Sequence, residues 1–442
     1  MAYGLADVAG ATSYNTINFH LLFFLVSALR LNPALAGAVL LIGRVIDAVT
    51  DPLMGVISDR VKAGGGSRLR IIRVFMVPFG ITFALIWWLP PVSILPSSWL
   101  LFAAAAVLLT LHTSIFTVVQ VSYLAMTPEL APDYHERTTL TSYRVAFSTV
   151  AALLAAALPP LLVEVFSPAE AVVSTCGWQV MGTGFAVVMV VCVLPFVLSV
   201  SEPRHGNQSL RSQPLPSVAE VFRGLFRVRW YAPITFIFIL ATLGNGTLSS
   251  MLPFYLGSVL GFSGEQATLS LGVVFLAAAS SMPLWTRLAG TYGKSTSLAL
   301  GAAVLAVSLL LMAFLPLPAG LSIPLSGLAL TTGIGLGAVL LFPWAMLPDV
   351  VSEDAARSGR EQSGTLYAFF TFAQKTAFAV GAFVNGQVLA ITGFDAEALT
   401  QDTSAIQGIT VMVGLVAAGC FLLTAWAAKQ YPEPRAHPQP AD

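Results

Sequence analysis

Residues 40–60 read LLIGRVIDAVTDPLMGVISDR. On a helix, Asp47 and Asp51 stand one turn apart on the same face, and Arg44 stands three residues before Asp47. The residues between these charges are apolar enough for the interior of a bilayer. A charged side chain at the centre of a membrane helix costs at least ~2.5–3.5 kcal/mol, so such groups are kept for function or paired with each other. This stretch predicts a membrane helix that carries a polar site.

The rest of the chain supports a membrane setting. Of 442 residues, 10% are charged and 56% hydrophobic, against about 25% charged in ordinary soluble domains. The mean hydropathy is +0.82. The formal net charge is +0, so nothing in the balance points to nucleic acid or an acidic partner. Cys176, Cys192 and Cys420 fall in apolar segments, and their number and spacing suit neither a disulfide framework nor a metal centre. They read as small buried hydrophobes. No Lys or Arg precedes Arg30, so the first apolar run lacks the basic start of a secretion signal and reads as a retained helix.

Hydropathy predicts helices over about 5–29, 34–58, 71–91, 98–127, 139–164, 172–200, 231–259, 264–288, 295–316, 321–348, 363–392 and 405–430. The longest polar stretch, 201–230, divides them into bundles of six helices at 1–200 and 231–430, with a tail at 431–442. Within it, SVAEVFRGLFRVRW (217–230) separates Val221, Phe222, Leu225 and Phe226 from Arg223 and Arg227. That is the pattern of a helix lying on an anionic lipid surface, or else of a solvated linker. With both termini cytoplasmic, the inner segments hold Arg60, Lys62, Arg68, Arg70, Arg73, Arg137, Arg204, Arg211, Arg223, Arg227, Arg229, Arg287, Lys294, Arg357, Arg360, Lys429 and Arg435, whereas Arg30 alone lies outside. This asymmetry sets the orientation. DRVKAGGGSRLR (59–70) after helix 2 is echoed by TRLAGTYGKS (286–295) after helix 8. An all-α membrane protein of twelve transmembrane helices in two such halves has the major facilitator architecture.

The deep charges are Arg44, Asp47 and Asp51 on helix 2, Arg144 on helix 5 and Lys375 on helix 11, while Asp7 sits near the start of helix 1, within reach of water. Entering from outside near Pro33, Asp47 lies ~21 Å along its helix; entering from the cytoplasm near Gly364, Lys375 lies ~17 Å along its own. These depths let the three meet in the inner or middle part of a ~30 Å core. The two carboxylates carry −2 and the lysine +1, leaving one negative charge for a Na⁺ or a proton. Close carboxylates raise each other's proton affinity unless a cation intervenes, and hard oxygen ligands suit a hard cation. The competing reading is a static network, with Arg44 paired to Asp47 along the helix and Lys375 as a fixed partner.

YGLADVAGA (3–11), the helix-2 stretch, TPELAPDYHERTTLTSYR (127–144) and LPDVVSEDAARSGREQSGTLYAFFTFAQK (347–375) together resemble the glycoside–pentoside–hexuronide:cation symporters, which include the melibiose permeases and relatives that carry lysophospholipids. The resemblance spans nearly the whole chain. It implies that Asp47 and Asp51 bind Na⁺, Li⁺ or H⁺ together with the helix-4 threonine Thr117, that Lys375 is the family lysine, and that Arg144 is the arginine beside the sugar. Two positions depart from the melibiose permeases. The helix-1 aspartate that holds the sugar is matched by Ala11, and the helix-4 aspartate that serves both sugar and cation is matched by Gln120. An amide still donates and accepts hydrogen bonds but supplies no charge.

The candidate substrate residues are therefore Asn15, Asn18 and His20 on helix 1, Gln120 and Tyr123 on helix 4, Arg144, and Trp344 on helix 10. Helix–helix bonding is the alternative role for the first three. Glu129, Asp133, Glu136 and Arg137 follow helix 4, and Asp349, Glu353, Asp354 and Arg360 follow helix 10, forming mixed-sign clusters that suit a cytoplasmic gate or plain solvated loops. The expected activity is cation-coupled symport of a sugar or glycoside by alternating access. A lysophospholipid or other amphipathic solute is the alternative substrate, and a passive channel the remaining reading. No HExxH, GxSxG or clustered His/Cys set occurs, so no enzyme is expected. The expected partners are a small-molecule substrate and membrane lipid, with no cofactor beyond the coupling ion. The expected setting is a monomer in a bacterial cytoplasmic membrane.

Overall fold

In the computed structural model, the described residues are all except 64–65, 96, 131–133, 168–174, 201–227, 229, 315–321, 359–362, 397, 399 and 433–442; at some helical positions only the backbone is described. No strand occurs among the described residues. Among the described residues, twelve long helical segments follow in order: α1 Ala2–Phe23, α2 Pro33–Ala63, α3 Arg68–Trp87, α4 Ser98–Ala125, α5 Tyr134–Ala157, α6 Cys176–Ser199, α7 Tyr231–Phe254, α8 Gly264–Tyr292, α9 Lys294–Phe314, α10 Ser322–Ser358, α11 Ser363–Ile391 and α12, which runs as Thr403–Val411, a π-helical turn Met412–Ala417 and Ala418–Gln430. Eight helices among the described residues are long and apolar enough to cross a membrane, or nine when Tyr143–Ala157 and Pro159–Phe166 count as one bent span. Neither α1 nor α2 is among them. Each carries a row of polar side chains through its middle, and those side chains build the site described below.

The helix ends have local causes. Ser67 accepts from Arg70 N at 3.1 Å and Ser97 from Leu100 N at 3.3 Å, capping α3 and α4. Asn32 accepts from Ala34 N at 2.9 Å at the start of α2, with Pro33 in the first helical position. Two of the basic residues expected at the cytoplasmic side bind helix C-terminal carbonyls: Arg68 donates to Ala125 O at 3.3 Å and Arg73 to Val197 O at 2.7 Å. The span expected at 139–164 is broken: α5 stops at Ala157, and Pro159–Phe166 continues after a 44° bend. Pro159 and Pro160 lack N–H groups for the helical ladder, which forces the break. The expected ends at 58 and 348 fall short, because α2 runs on to Ala63 and α10 to Ser358.

The ends of α1 and α7 repeat each other. Each closes in a π-helical turn, Phe24–Ala28 and Tyr255–Val259. Leu29 N binds Phe24 O at 3.0 Å and Leu31 N binds Leu25 O at 2.9 Å; Leu260 N binds Tyr255 O at 3.0 Å and Phe262 N binds Leu256 O at 2.9 Å. The second residue after each turn is left-handed, Arg30 at φ 60° and Gly261 at φ 66°. Only glycine takes that conformation at no steric cost.

The chain forms two compact units. The first comprises Met1–Ser212, Gly246–Gly272 and Ala379–Thr410. Trp87 and Trp178 stack in it at 5.5 Å, with Phe24 against both. Backbones of α2 and α11 meet in this unit at Gly37 and Gly386: a Cβ on Gly386 would lie 2.5 Å from Pro33 O and 2.9 Å from Gly37 Cα. Gln387 Nε2 donates to Ala34 O at 3.2 Å beside this crossing. Glu164 caps the start of α8 by accepting from Glu265 N at 2.8 Å. The second unit comprises Gln213–Asn245, Val273–Phe378 and Val411–Asp442. Phe238 and Phe370 stack in it at 3.9 Å, and Trp285 Nε1 donates to Ile334 O at 2.8 Å. The central segment 201–230, apart from Val228 and Trp230, and the end of the chain from residue 433 lie outside the described residues. Of the three cysteines, Cys420 is buried, Cys192 half-buried and Cys176 exposed, so only one behaves as the expected buried hydrophobe.

Candidate functional site

The site is built on α1, α2, α4 and α5 of the first unit. Asp47 is fully buried at 0% exposure, and Asp51, one turn on, is half-buried. Thr117 on α4 faces both: its Oγ1 lies 2.9 Å from Asp47 Oδ1 and 2.8 Å from Asp51 Oδ1. A threonine hydroxyl carries one proton and can donate to only one carboxylate at a time. The other short contact needs either a proton on a carboxyl group or a cation among the oxygens. The three oxygens form a hard, anionic donor set on two packed helices.

Arg44 lies on the opposite side of Asp47. Its Nη1 is 3.5 Å from Asp47 Oδ2, a long and buried ion pair. Its Nη2 donates to Asn18 Oδ1 on α1, and its guanidinium carbon lies 4.9 Å from the centre of the Tyr14 ring. Three separate groups thus hold the arginine. Behind it, His112 on α4 bridges Ser13 Oγ at 2.7 Å and Thr82 Oγ1 at 3.1 Å, with Phe79 stacked on its ring at 5.2 Å, which ties α1, α3 and α4 together.

A second polar cluster lies near the start of α1. Asp7, expected within reach of water, is 9% exposed. Gln120 Nε2 donates to its Oδ1 at 3.2 Å, and Ser148 and Arg144 on α5 face the same carboxylate. Tyr3 and Tyr123 stack at 4.4 Å; Tyr123 Oη donates to Tyr3 O at 2.7 Å, and Tyr3 Oη pairs with Thr127 Oγ1. Sequence reasoning passed over Asp7. The signal available was its place within the apolar run that opens helix 1.

The remaining expected residues are placed as follows. Gln120, matched by resemblance to a residue shared by cation and sugar, turns its amide to Asp7. Asn15 Nδ2 bonds within α1 to Ala11 O at 2.8 Å. Asn18 is 3% exposed and serves Arg44. His20 is fully buried between α1, Ala156 O on α5 at 2.9 Å and Trp178, so it makes a helix–helix contact. Lys375 is buried on α11, and Trp344 is partly exposed on α10 with its ring edge-on to Phe238 and Phe370; both belong to the second unit. Of the residues expected at a gate, Asp349 accepts at Oδ2 from Lys294 Nζ at 2.6 Å, and that lysine, not itself among them, also donates to Ala345 O at 3.0 Å. Glu353 is half-buried. The side chains of Glu129, Asp133, Glu136, Arg137, Asp354 and Arg360 lie outside the described residues. No group of three or more His, Cys, Asp or Glu side chains suited to a metal ion occurs among the described residues.

A bundle of long apolar helices with buried, partly neutralised carboxylates at its polar heart is a multi-pass membrane carrier of a small molecule. The chain belongs to the MFS/sugar transport protein family, whose model matches residues 2–433. It is a transporter and not an enzyme. The inner membrane symporter YicJ of Escherichia coli (strain K12) is 26% identical to it over 435 residues, covering 98% of this chain and 90% of that one. The sodium-dependent lysophosphatidylcholine symporter 1 of Gallus gallus is 23% identical over 465 residues, covering 98% and 86%. The crystal structure of a D-xylose–proton symporter superposes with a TM-score of 0.72 at 16% identity, covering 98% of this chain and 97% of that one, which shows the shared fold.

Proposed function

We propose that this protein is a cation-coupled symporter for a sugar or glycoside and that Asp47, Asp51 and Thr117 seat the coupling ion. The observation that carries this is the single hydroxyl of Thr117 held between two carboxylates in a membrane helix pair. Such a place is completed by a small monovalent cation or a proton. Arg44 supplies one fixed positive charge beside the two carboxylates, so occupancy by one monovalent cation, rather than two, brings the site to neutral. Symport is supported by the names of the relatives, and sugar by the name of the family. The cation binds first and orders the polar residues around it. Linkage of about 1–3 kcal/mol then tightens the substrate, and by reciprocity the substrate tightens the cation.

The working unit is a monomer with both termini cytoplasmic, in the cytoplasmic membrane of a bacterium. Its halves are 1–200 and 231–430, joined by the segment 201–230. Equivalent turns closing α1 and α7 support the repeat. Mixed-sign residues after α4 and after α10 serve as a cytoplasmic gate, and of these Asp349 is paired with Lys294. The test is uptake into reconstituted vesicles of a panel of glycosides and lysophosphatidylcholine, under separate sodium and proton gradients. Accumulation of a glycoside driven by one gradient is expected. Flux indifferent to both gradients would mean a passive path.

A further inference from the structure

One face of α3 has no protein partner. Arg70, Val74, Val77, Ile81 and Leu85 recur every three or four residues, so they form one row along the helix, and all are exposed. Exposed Trp88 closes the row at the far end, where its Nε1 donates to Thr183 Oγ1 on α6 at 3.0 Å. An apolar row ending at an indole is a face for acyl chains. From Arg73 to Leu85 it runs ~18 Å, enough to line one leaflet of a ~30 Å core. The neighbouring α6 has an exposed apolar row of its own at Val187, Val191 and Leu198. The two helices pack closely: a Cβ at Gly80 would lie 2.7 Å from Val190 Cγ2 and 3.2 Å from Ala186 O.

The charged end of this face is unbalanced. Arg70 and Arg73 stand three residues apart, and both are exposed. Arg73 Nη2 donates to Val197 O at the end of α6 at 2.7 Å, which fixes the guanidinium over the seam between the helices. The Arg70 side chain has no partner among the described residues, and neither arginine is in an ion pair there. Neither α3 nor α6 contains an acidic residue. Each guanidinium has five N–H donors in a planar fork, of which one on Arg73 and none on Arg70 is engaged. Such a fork matches the oxygens of a phosphate. We propose that Arg70 and Arg73 bind the headgroup phosphate of an anionic phospholipid whose acyl chains lie along the exposed rows of α3 and α6. A zwitterionic lipid brings its own ammonium group and leaves the two arginines uncompensated. A second copy of the chain seated on the same face would set these arginines against their own images. An anionic lipid meets both the charge and the apolar row.

The test is the melting temperature of purified protein in neutral detergent, titrated with phosphatidylglycerol, with phosphatidylcholine and with inorganic phosphate. Wild type is expected to prefer phosphatidylglycerol to phosphatidylcholine by about fivefold for each arginine, read as the lipid concentration for half-maximal stabilisation. Arg70→Gln and Arg73→Gln should each lose about fivefold of that preference, and the double variant should approach parity. Melting of the variants in phosphatidylcholine alone should match wild type and show them folded. Arg287→Gln, at an exposed arginine of α8, should keep the full preference. A wild type without preference for phosphatidylglycerol would overturn the proposal, as would a double variant that retains it. An equal loss in Arg287→Gln would also overturn it, showing diffuse surface charge instead of a site. So would inorganic phosphate that stabilises wild type as phosphatidylglycerol does, since the acyl chains would then contribute nothing.

Discussion

Asp47 and Asp7 are both nearly buried carboxylates on membrane helices of the same unit, and their surroundings differ in kind. Asp47 has a neighbouring acid one turn away, a shared hydroxyl from Thr117 and an arginine at 3.5 Å that is itself held by Asn18 and Tyr14. Asp7 has no second acid beside it among the described residues; it has the amide of Gln120, the Ser148 side chain and an arginine at longer range. The first arrangement concentrates negative charge around a small volume and suits a bare ion. The second spreads donors and acceptors around an acid and suits a ligand that brings its own hydrogen-bonding groups. One helix, α4, reaches both acids through Thr117 and Gln120, residues three apart.

The comparison breaks most readily at the acids. Asp47→Asn or Asp51→Asn is expected to lower cation-driven accumulation by roughly a hundredfold, measured as gradient-driven uptake at fixed protein content. An equal loss of glycoside affinity at saturating cation would show that the two places are not distinct. Next, Thr117→Ala should raise the cation concentration for half-maximal uptake by about tenfold, with Thr117→Ser close to wild type because it keeps the hydroxyl. If the serine variant is as impaired as the alanine, the hydroxyl is not what matters. Asn18→Ala frees one side of Arg44 and lets it settle more fully on Asp47, so half-saturation by the cation should rise about fivefold. A fall would mean that Asn18 holds the arginine against Asp47 rather than away from it. The smallest effect belongs to the Lys294–Asp349 pair, whose side chains are 38% and 40% exposed. Lys294→Ala should cost under about 1 kcal/mol of thermal stability, as exposed pairs do, against a larger loss for the buried Arg44→Ala.

Much of the molecule is legible in the chain because a bilayer imposes simple rules. Apolar runs gave the helices, and the side chosen by Arg and Lys gave an orientation for them. Asp47 and Asp51 stood out because a charge within an apolar run is visible in any register. The break after Ala157 was encoded in Pro159 and Pro160, but the surrounding leucines and alanines concealed it in an unbroken apolar stretch. Other features depend on which helix faces which. The bond from Arg44 to Asn18 joins residues 26 apart, and that from Gln120 to Asp7 joins residues 113 apart. Neither distance follows from a one-helix pattern. Asp7 in particular was discounted for its nearness to the chain start, whereas the packing of α1 against α4 and α5 encloses it. The π-helical turns ending α1 and α7 carry a shared pattern, an aromatic, then Leu, then Ser in FLVSA and YLGSV, but one visible only once the two segments are set side by side.

The most direct test of the coupling site is accumulation of a transported glycoside in vesicles under an imposed Na⁺ or proton gradient, comparing wild type with Asp51→Asn. Wild type should concentrate the glycoside under one of the gradients. The variant should still exchange it across the membrane without concentrating it. Accumulation by Asp51→Asn equal to wild type under the same gradient would contradict the assignment of the acid pair as the seat of the driving ion.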